Sequence, residues 1–186
     1  NESFLPQLNI AYENGTNKAD FLAGKVDEYE WKGLGSNCYM SEMLARVLLE
    51  QLKGVEKITA ARMAKWNYYQ QFFTALEKAG DIELLKIPAG CVHNGHNFII
   101  KTPNLHTRAG LMDMLARKGI EAAFHYIALH SSEFGKKAGK FIGEDKYTTR
   151  DSQRLLRLPL FHDIGQAEQD RVLKEVYAFF GKKYPA

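Results

Sequence analysis

Helical periodicity up to about residue 80, followed by strands alternating with helices, predicts a mixed α/β protein with a helix-rich first part and a small two-layer second part. Met43, Leu44, Val47, Leu48 and Leu52 recur at helical spacing behind Ser41, a favourable N-cap, so a helix is expected over about 42–53 with Gly54 as an interruption. A second helical pattern runs through Val55, Ile58, Trp66, Tyr69, Phe73 and Leu76 and ends at Lys78 and Gly80. It reads as a separate long helix or as a kinked continuation of the first. Beyond Gly80, Asn97 to Lys101 reads as a strand, and Thr107 is expected to cap a helix carrying Leu111, Met114 and Leu115 that stops at Gly119. Ile120 to Tyr126 reads as another strand. A short helix is expected from about Thr149 to Leu156, ended by Pro159, and a last amphipathic helix carries Val172, Leu173, Val176, Tyr177 and Phe180 up to Gly181. The predicted division is 1–80 and 81–186.

Composition narrows the function classes. The 186 residues are 45% hydrophobic, enough to bury a core, and the formal charge of +3 is spread along the chain apart from the doublets Lys136-Lys137 and Lys182-Lys183. No basic stripe points to nucleic acid. Only Cys38 and Cys91 are present, outside any CxxC pair, which suits a reducing compartment. No apolar run approaches the roughly 20 residues that span a bilayer, so the expectation is a soluble, cytoplasmic protein with no membrane partner. The first residue is Asn1, not methionine, which fits a truncated or processed product.

The loop Gly33-Leu34-Gly35-Ser36-Asn37-Cys38-Tyr39-Met40-Ser41-Glu42 delivers the chain to a helix N-terminus, where free N–H groups and the helix dipole favour an anion such as phosphate. Asn37 adds an amide donor. Cys91-x-His93-x-x-His96 has ligand-type residues at short spacing but no fourth partner. In an extended 91–101 segment the two histidines would point to opposite sides, so no metal site is assigned. Asp27, Glu28, Glu42 and Glu50 read as surface carboxylates. The series Trp66, Tyr68, Tyr69, Phe72 and Phe73 reads as core or interface at helical spacing, not as a base-stacking platform.

The segment from Gly35 to Glu42, with Gln51-Leu52 after it, resembles the loop-helix element of the DegT/DnrJ/StrS sugar aminotransferases, a fold-type-I pyridoxal-phosphate family. Three further stretches agree in order and spacing. They are Glu13-Asn14-Gly15-Thr16-Asn17-Lys18 with Tyr29 and Trp31 beyond it, His125-Tyr126-Ile127-Ala128-Leu129-His130, and Gly143 to Thr149 leading to Ser152–Phe161. The last is most similar to the dTDP-4-oxo-6-deoxy-D-glucose transaminase branch.

The resemblance implies the C-terminal portion of such an enzyme, with the end of the large cofactor-binding domain and an interdomain helix in 1–80 and the small α/β domain in 81–186. It implies pyridoxal 5'-phosphate as cofactor, with Ser36 and Asn37 as cofactor-binding residues, Asn37 reaching the phosphate of the other subunit of a homodimer. His125, Tyr126, His130 and Lys18 are implied as substrate-binding residues. Cys38 and Tyr39 depart from the family's commoner aromatic-arginine pair. The implied reaction moves an amino group, from glutamate, to the 4-keto carbon of a nucleotide sugar used for cell-surface polysaccharide. No catalytic residue is assigned: the family's Schiff-base lysine is expected upstream of Asn1, so the chain alone is expected to be inactive. The alternative reading is a non-catalytic dimerisation or ligand-binding module of the same fold.

Overall fold

In the computed structural model residues 1–185 are described, and the chain divides into two compact units, Asn1–Gly54 and Val55–Ala186. The first unit holds a 3-10 turn at Glu2–Phe4 and three helices, α1 (Leu5–Tyr12), α2 (Lys18–Leu22) and α3 (Glu42–Lys53). Pro6 lies in the first turn of α1, where its missing N–H breaks no helical bond. Ser41 caps α3, its hydroxyl accepting the Leu44 N–H at 3.4 Å, and Gly54 ends that helix. No residue of these three helices is buried within the chain. Met43 is 82% exposed and Val47 60%, so the apolar stripe that defines α3 in the sequence has no cover here.

The second unit is a four-stranded antiparallel sheet with helices packed on its core face. Its elements are α4 (Val55–Lys78), β1 (Glu83–Leu84), β2 (Phe98–Lys101), α5 (Leu105–Arg117), β3 (Ala123–Phe124), α6 (Glu133–Ala138), α7 (Thr148–Arg154), β4 (Leu155–Leu158) and α8 (Gln166–Phe179). The strand order is β1-β2-β4-β3, so β2 and β4 form the centre. Their register pairs Phe98 with Leu158 and Ile100 with Leu156. Those four side chains alternate with more exposed ones, as a sheet with one covered face requires. Tyr69, Phe73 and Leu76 of α4, Leu111 and Leu115 of α5, and Leu173 and Val176 of α8 close the core above them, each at most 1% exposed. The Tyr69 and Phe73 rings lie 5.0 and 5.6 Å from that of Phe98, adding aromatic contact to apolar burial. Thus α4, grouped with the first part by sequence, builds the core of the second unit.

Four sequence expectations change. The α5 cap is Asn104, whose Oδ1 accepts the Thr107 N–H at 2.9 Å; Asn104 is extended and three residues upstream, the cap geometry, whereas Thr107 is already helical. The helix expected to reach Leu156 stops at Arg154, and Leu155–Leu158 is the central strand, because Leu156 and Leu158 are buried only when alternate residues face the core. The strand expected over 120–126 pairs only at Ala123 and Phe124. Residues 91–97 form a loop with Gly95 at φ +61, not an extended arm. Within that loop the Gly95 N–H donates to His93 Nδ1 at 3.1 Å, and the His93 ring lies 4.7 Å from Trp66.

Candidate active-site elements

In the first unit the loop expected to bind phosphate is tied to the end of α1. Helix C-termini leave their last carbonyls without helical partners; here the Ser36 N–H donates to the Ala11 carbonyl at 2.9 Å and the Cys38 N–H to that of Tyr12 at 3.4 Å. The Asn14 N–H in turn donates to the Ser36 carbonyl at 3.3 Å, and Glu13 and Asn37 form a bridge. Asn14 and Gly15 both have positive φ, at 59° and 81°. A Cβ on Gly35 would sit 2.0 Å from the Gly15 nitrogen, and one on Gly15 would sit 2.0 Å from the Gly33 carbonyl oxygen. Both glycines are therefore required where the two segments cross.

Ser36 and Asn37 are exposed on this scaffold, four to five residues before the cap of α3. Asn37 Oδ1 accepts the Tyr39 N–H at 3.1 Å, which fixes the amide and leaves its NH2 group to donate outward. An exposed hydroxyl, an amide NH2 and a helix N-terminus make a donor set for a phosphate dianion. Lys18 opens α2; its N–H donates to the Thr16 hydroxyl at 3.3 Å, and Thr16 bridges Trp31.

Sequence reasoning names Glu13 and Tyr39 separately and misses that they meet. Glu13 is 7% exposed, its Oε1 accepts the Tyr39 hydroxyl, and its Oε2 is buried without a partner among the described residues. Glu13 raises the Tyr39 phenol to about 12 through that hydrogen bond. The Tyr39 ring also stands edge-on to Tyr12 at 4.9 Å. The two residues lie 26 positions apart, and only the glycine crossing brings them together.

In the second unit, His125 and Tyr126 follow edge strand β3 and stack at 4.3 Å; Tyr126 is 63% exposed, while His125 Nδ1 is buried without a partner among the described residues. His130 has other partners. Its Nε2 lies 2.8 Å from Asp145 Oδ2 and 3.1 Å from the Thr149 hydroxyl, and its ring packs on Phe141 at 4.6 Å. The Thr149 hydroxyl, then its N–H and His130, hold the Asp145 carboxyl below the ordinary aspartate range. Thus His130 ties the segment after β3 to the start of α7, and Tyr126 is the exposed member of the predicted group.

A profile of the DegT/DnrJ/EryC1/StrS aminotransferase family matches residues 14–177. The chain belongs to that family. Among solved structures it is similar to the Helicobacter pylori aminotransferase PseC, involved in pseudoaminic acid biosynthesis, at TM-score 0.77 and 17% identity over 97% of this chain and 47% of that one. It is also similar to a DegT/DnrJ/EryC1/StrS aminotransferase from Brucella abortus, at TM-score 0.72 and 24% identity over 89% of this chain and 43% of that one. A third similar structure is Spr1654 from Streptococcus pneumoniae in its PMP form, at TM-score 0.71 and 22% identity over 96% and 45%. The chain spans less than half the length of each. The fold it shares with them is that of the C-terminal portion of a pyridoxal-phosphate-dependent aminotransferase. Among the described residues no helix is long and apolar enough to cross a membrane, and no three His, Cys, Asp or Glu side chains gather as a metal site.

Proposed function

We propose that this chain is the C-terminal part of a nucleotide-sugar aminotransferase that aminates a 4-keto sugar such as dTDP-4-oxo-6-deoxy-D-glucose with glutamate as donor. The observation that carries the reading is the loop at Ser36–Asn37, braced by α1 and feeding the N-terminus of α3, inside a family match over residues 14–177. The donors fit the phosphate end of pyridoxal phosphate: Ser36 and Asn37 would hold it, with the α3 dipole favouring its negative charge. When bound, that cofactor supplies the carbonyl carbon that takes up the amino group and the ring that withdraws electrons from the reacting centre.

The chain's own residues hold, orient and shield. Asn37 presents N–H donors without adding a charge, and Glu13 with Tyr39 fixes the loop from behind. Lys18 and Tyr126 offer a cation and an exposed phenol to the substrate. We place the lysine that moves the proton outside this chain, and a homodimer completes the site, each subunit lending its Asn37 loop to the other.

Two experiments test this. The complete enzyme, given glutamate and dTDP-4-oxo-6-deoxy-D-glucose, is expected to form 2-oxoglutarate and the 4-amino sugar in equal amounts; no 2-oxoglutarate with any keto nucleotide sugar would refute the reading. The 186-residue chain, mixed with pyridoxal phosphate and reduced with borohydride, is expected to give no single stoichiometric lysine adduct. Such an adduct would place the reactive lysine within the chain.

A further inference from the structure

At the end of the sheet where β2 and β3 begin and β4 leaves lies a cleft of about 490 Å³, in the size range of small-molecule sites. Arg62, His96, Asn97, Glu121, Arg157 and Arg171 are among its lining residues, with Leu160, Phe161 and Ile164 supplying apolar wall. Three arginines against Glu121 and Glu168 leave it positively charged.

The arginines differ in what occupies them. Arg62 donates to the carbonyls of Gly95, His96 and Leu160, and Arg171 donates to that of Lys118. Glu168 is engaged by the Gly165 N–H at 2.7 Å. Nearby on the chain, Arg154 is engaged by the Thr102 carbonyl, Glu83 and Asp151. Arg157 is the exception. It sits in the middle of β4 between Ile99 and Ala123, half-buried, and its guanidinium makes no hydrogen bond or ion pair among the described residues. The side chains of His96 and Asn97 make none either. A guanidinium partly withdrawn from water loses hydration, and a carboxylate or phosphate restores it through two parallel N–H donors.

We propose that Arg157, with His96 and Asn97 beside it, is an anion-recognition subsite that takes one oxyanion group of a small ligand in this cleft. The anion chemistry follows from the unpartnered arginine; which substrate brings the oxyanion, the amino donor's carboxylate or the nucleotide's diphosphate, rests on the aminotransferase reading above.

Equilibrium dialysis of the full chain against radiolabelled glutamate and, separately, inorganic pyrophosphate tests it without cofactor or turnover. One probe is expected to bind saturably at one per chain, and Arg157→Gln to weaken it at least about tenfold. Arg157→Lys, which keeps the charge and loses the fork, should fall between. Arg117→Gln, an exposed arginine of α5 paired with Asp113, should bind as the parent does. Glutamate binding assigns the donor and pyrophosphate binding assigns the nucleotide; either supports the subsite. Should Arg157→Gln fail to fold, modification of the parent chain by phenylglyoxal decides, with Arg157 expected to be protected by the bound probe. No saturable binding of either probe, equal loss in Arg117→Gln, or unprotected Arg157 overturns the proposal. Because the readout is binding alone, the subsite can stand if the complete protein proves not to transaminate, and the aminotransferase reading can stand if the subsite falls.

Discussion

His130 and Asp145 illustrate how single side chains place the segment that carries Tyr126. Asp145 bonds the Thr149 hydroxyl and N–H as well as His130, so its charged form is favoured in the folded chain. A carboxyl whose folded value is depressed contributes stability above its unfolded value, near about 3.9, and loses it as pH falls through the lower folded value. As pH falls through the ordinary aspartate range and below it, stability is therefore expected to fall more steeply in the parent than in Asp145→Asn; identical acid limbs would contradict the linkage. Glu13 and Tyr39 show what one sequence hides. Neither belongs to a local pattern that marks a pair, and the contact exists because Gly15 and Gly35 let two backbones cross where a Cβ would collide. The cap at Ser41 and the helix it opens, in contrast, were legible because an N-cap before an apolar helical stripe has local chemistry of its own.

At the scale of elements, legibility followed the length of the pattern. Helices α3, α4 and α8 repeat their apolar stripe over three turns or more, and Gly54, Gly80 and Gly181 mark their ends. Strand β4 was hidden because Arg154 passes from the last turn of α7 into extended backbone with no proline or glycine between. Four residues cannot separate a period of two from one of 3.6. The two-residue strands β1 and β3 exist only by pairing with a neighbour, so nothing local announces them. The register makes a direct prediction. Phe98 faces the covered side at 1% exposure and Ile99 the other, so Phe98→Ala should cost about 3–5 kcal/mol in urea unfolding. Ile99→Ala should cost much less. Equal losses at the two positions would mean the strand is not in this register.

For the whole molecule, the contrast between the two units is the main physical fact. The second has a closed core; the first exposes Phe4, Leu5, Leu8, Met43, Leu44, Val47 and Leu52. Apolar surface of that extent left in water favours association. Sedimentation of the isolated chain is expected to show dimers or larger species, and hydrogen exchange to show weaker protection in 1–54 than in α4 or α8. A cooperative monomer with 1–54 fully protected would contradict this. The shared-site reading assigns part of that surface to a subunit contact, with the Asn37 loop crossing it. Its most direct test is cofactor retention in the complete enzyme. Asn37→Asp exchanges an N–H donor pair for a negative charge facing the phosphate and should weaken retention by about 1.5–3 kcal/mol, tenfold to a hundredfold. Asn37→Ser keeps one donor and should be milder. In mixed dimers of parent and Asn37→Asp chains, the account predicts that the parent subunit's site loses cofactor while the mutant's own site keeps it; unchanged retention, or a defect confined to the mutated subunit, would contradict it.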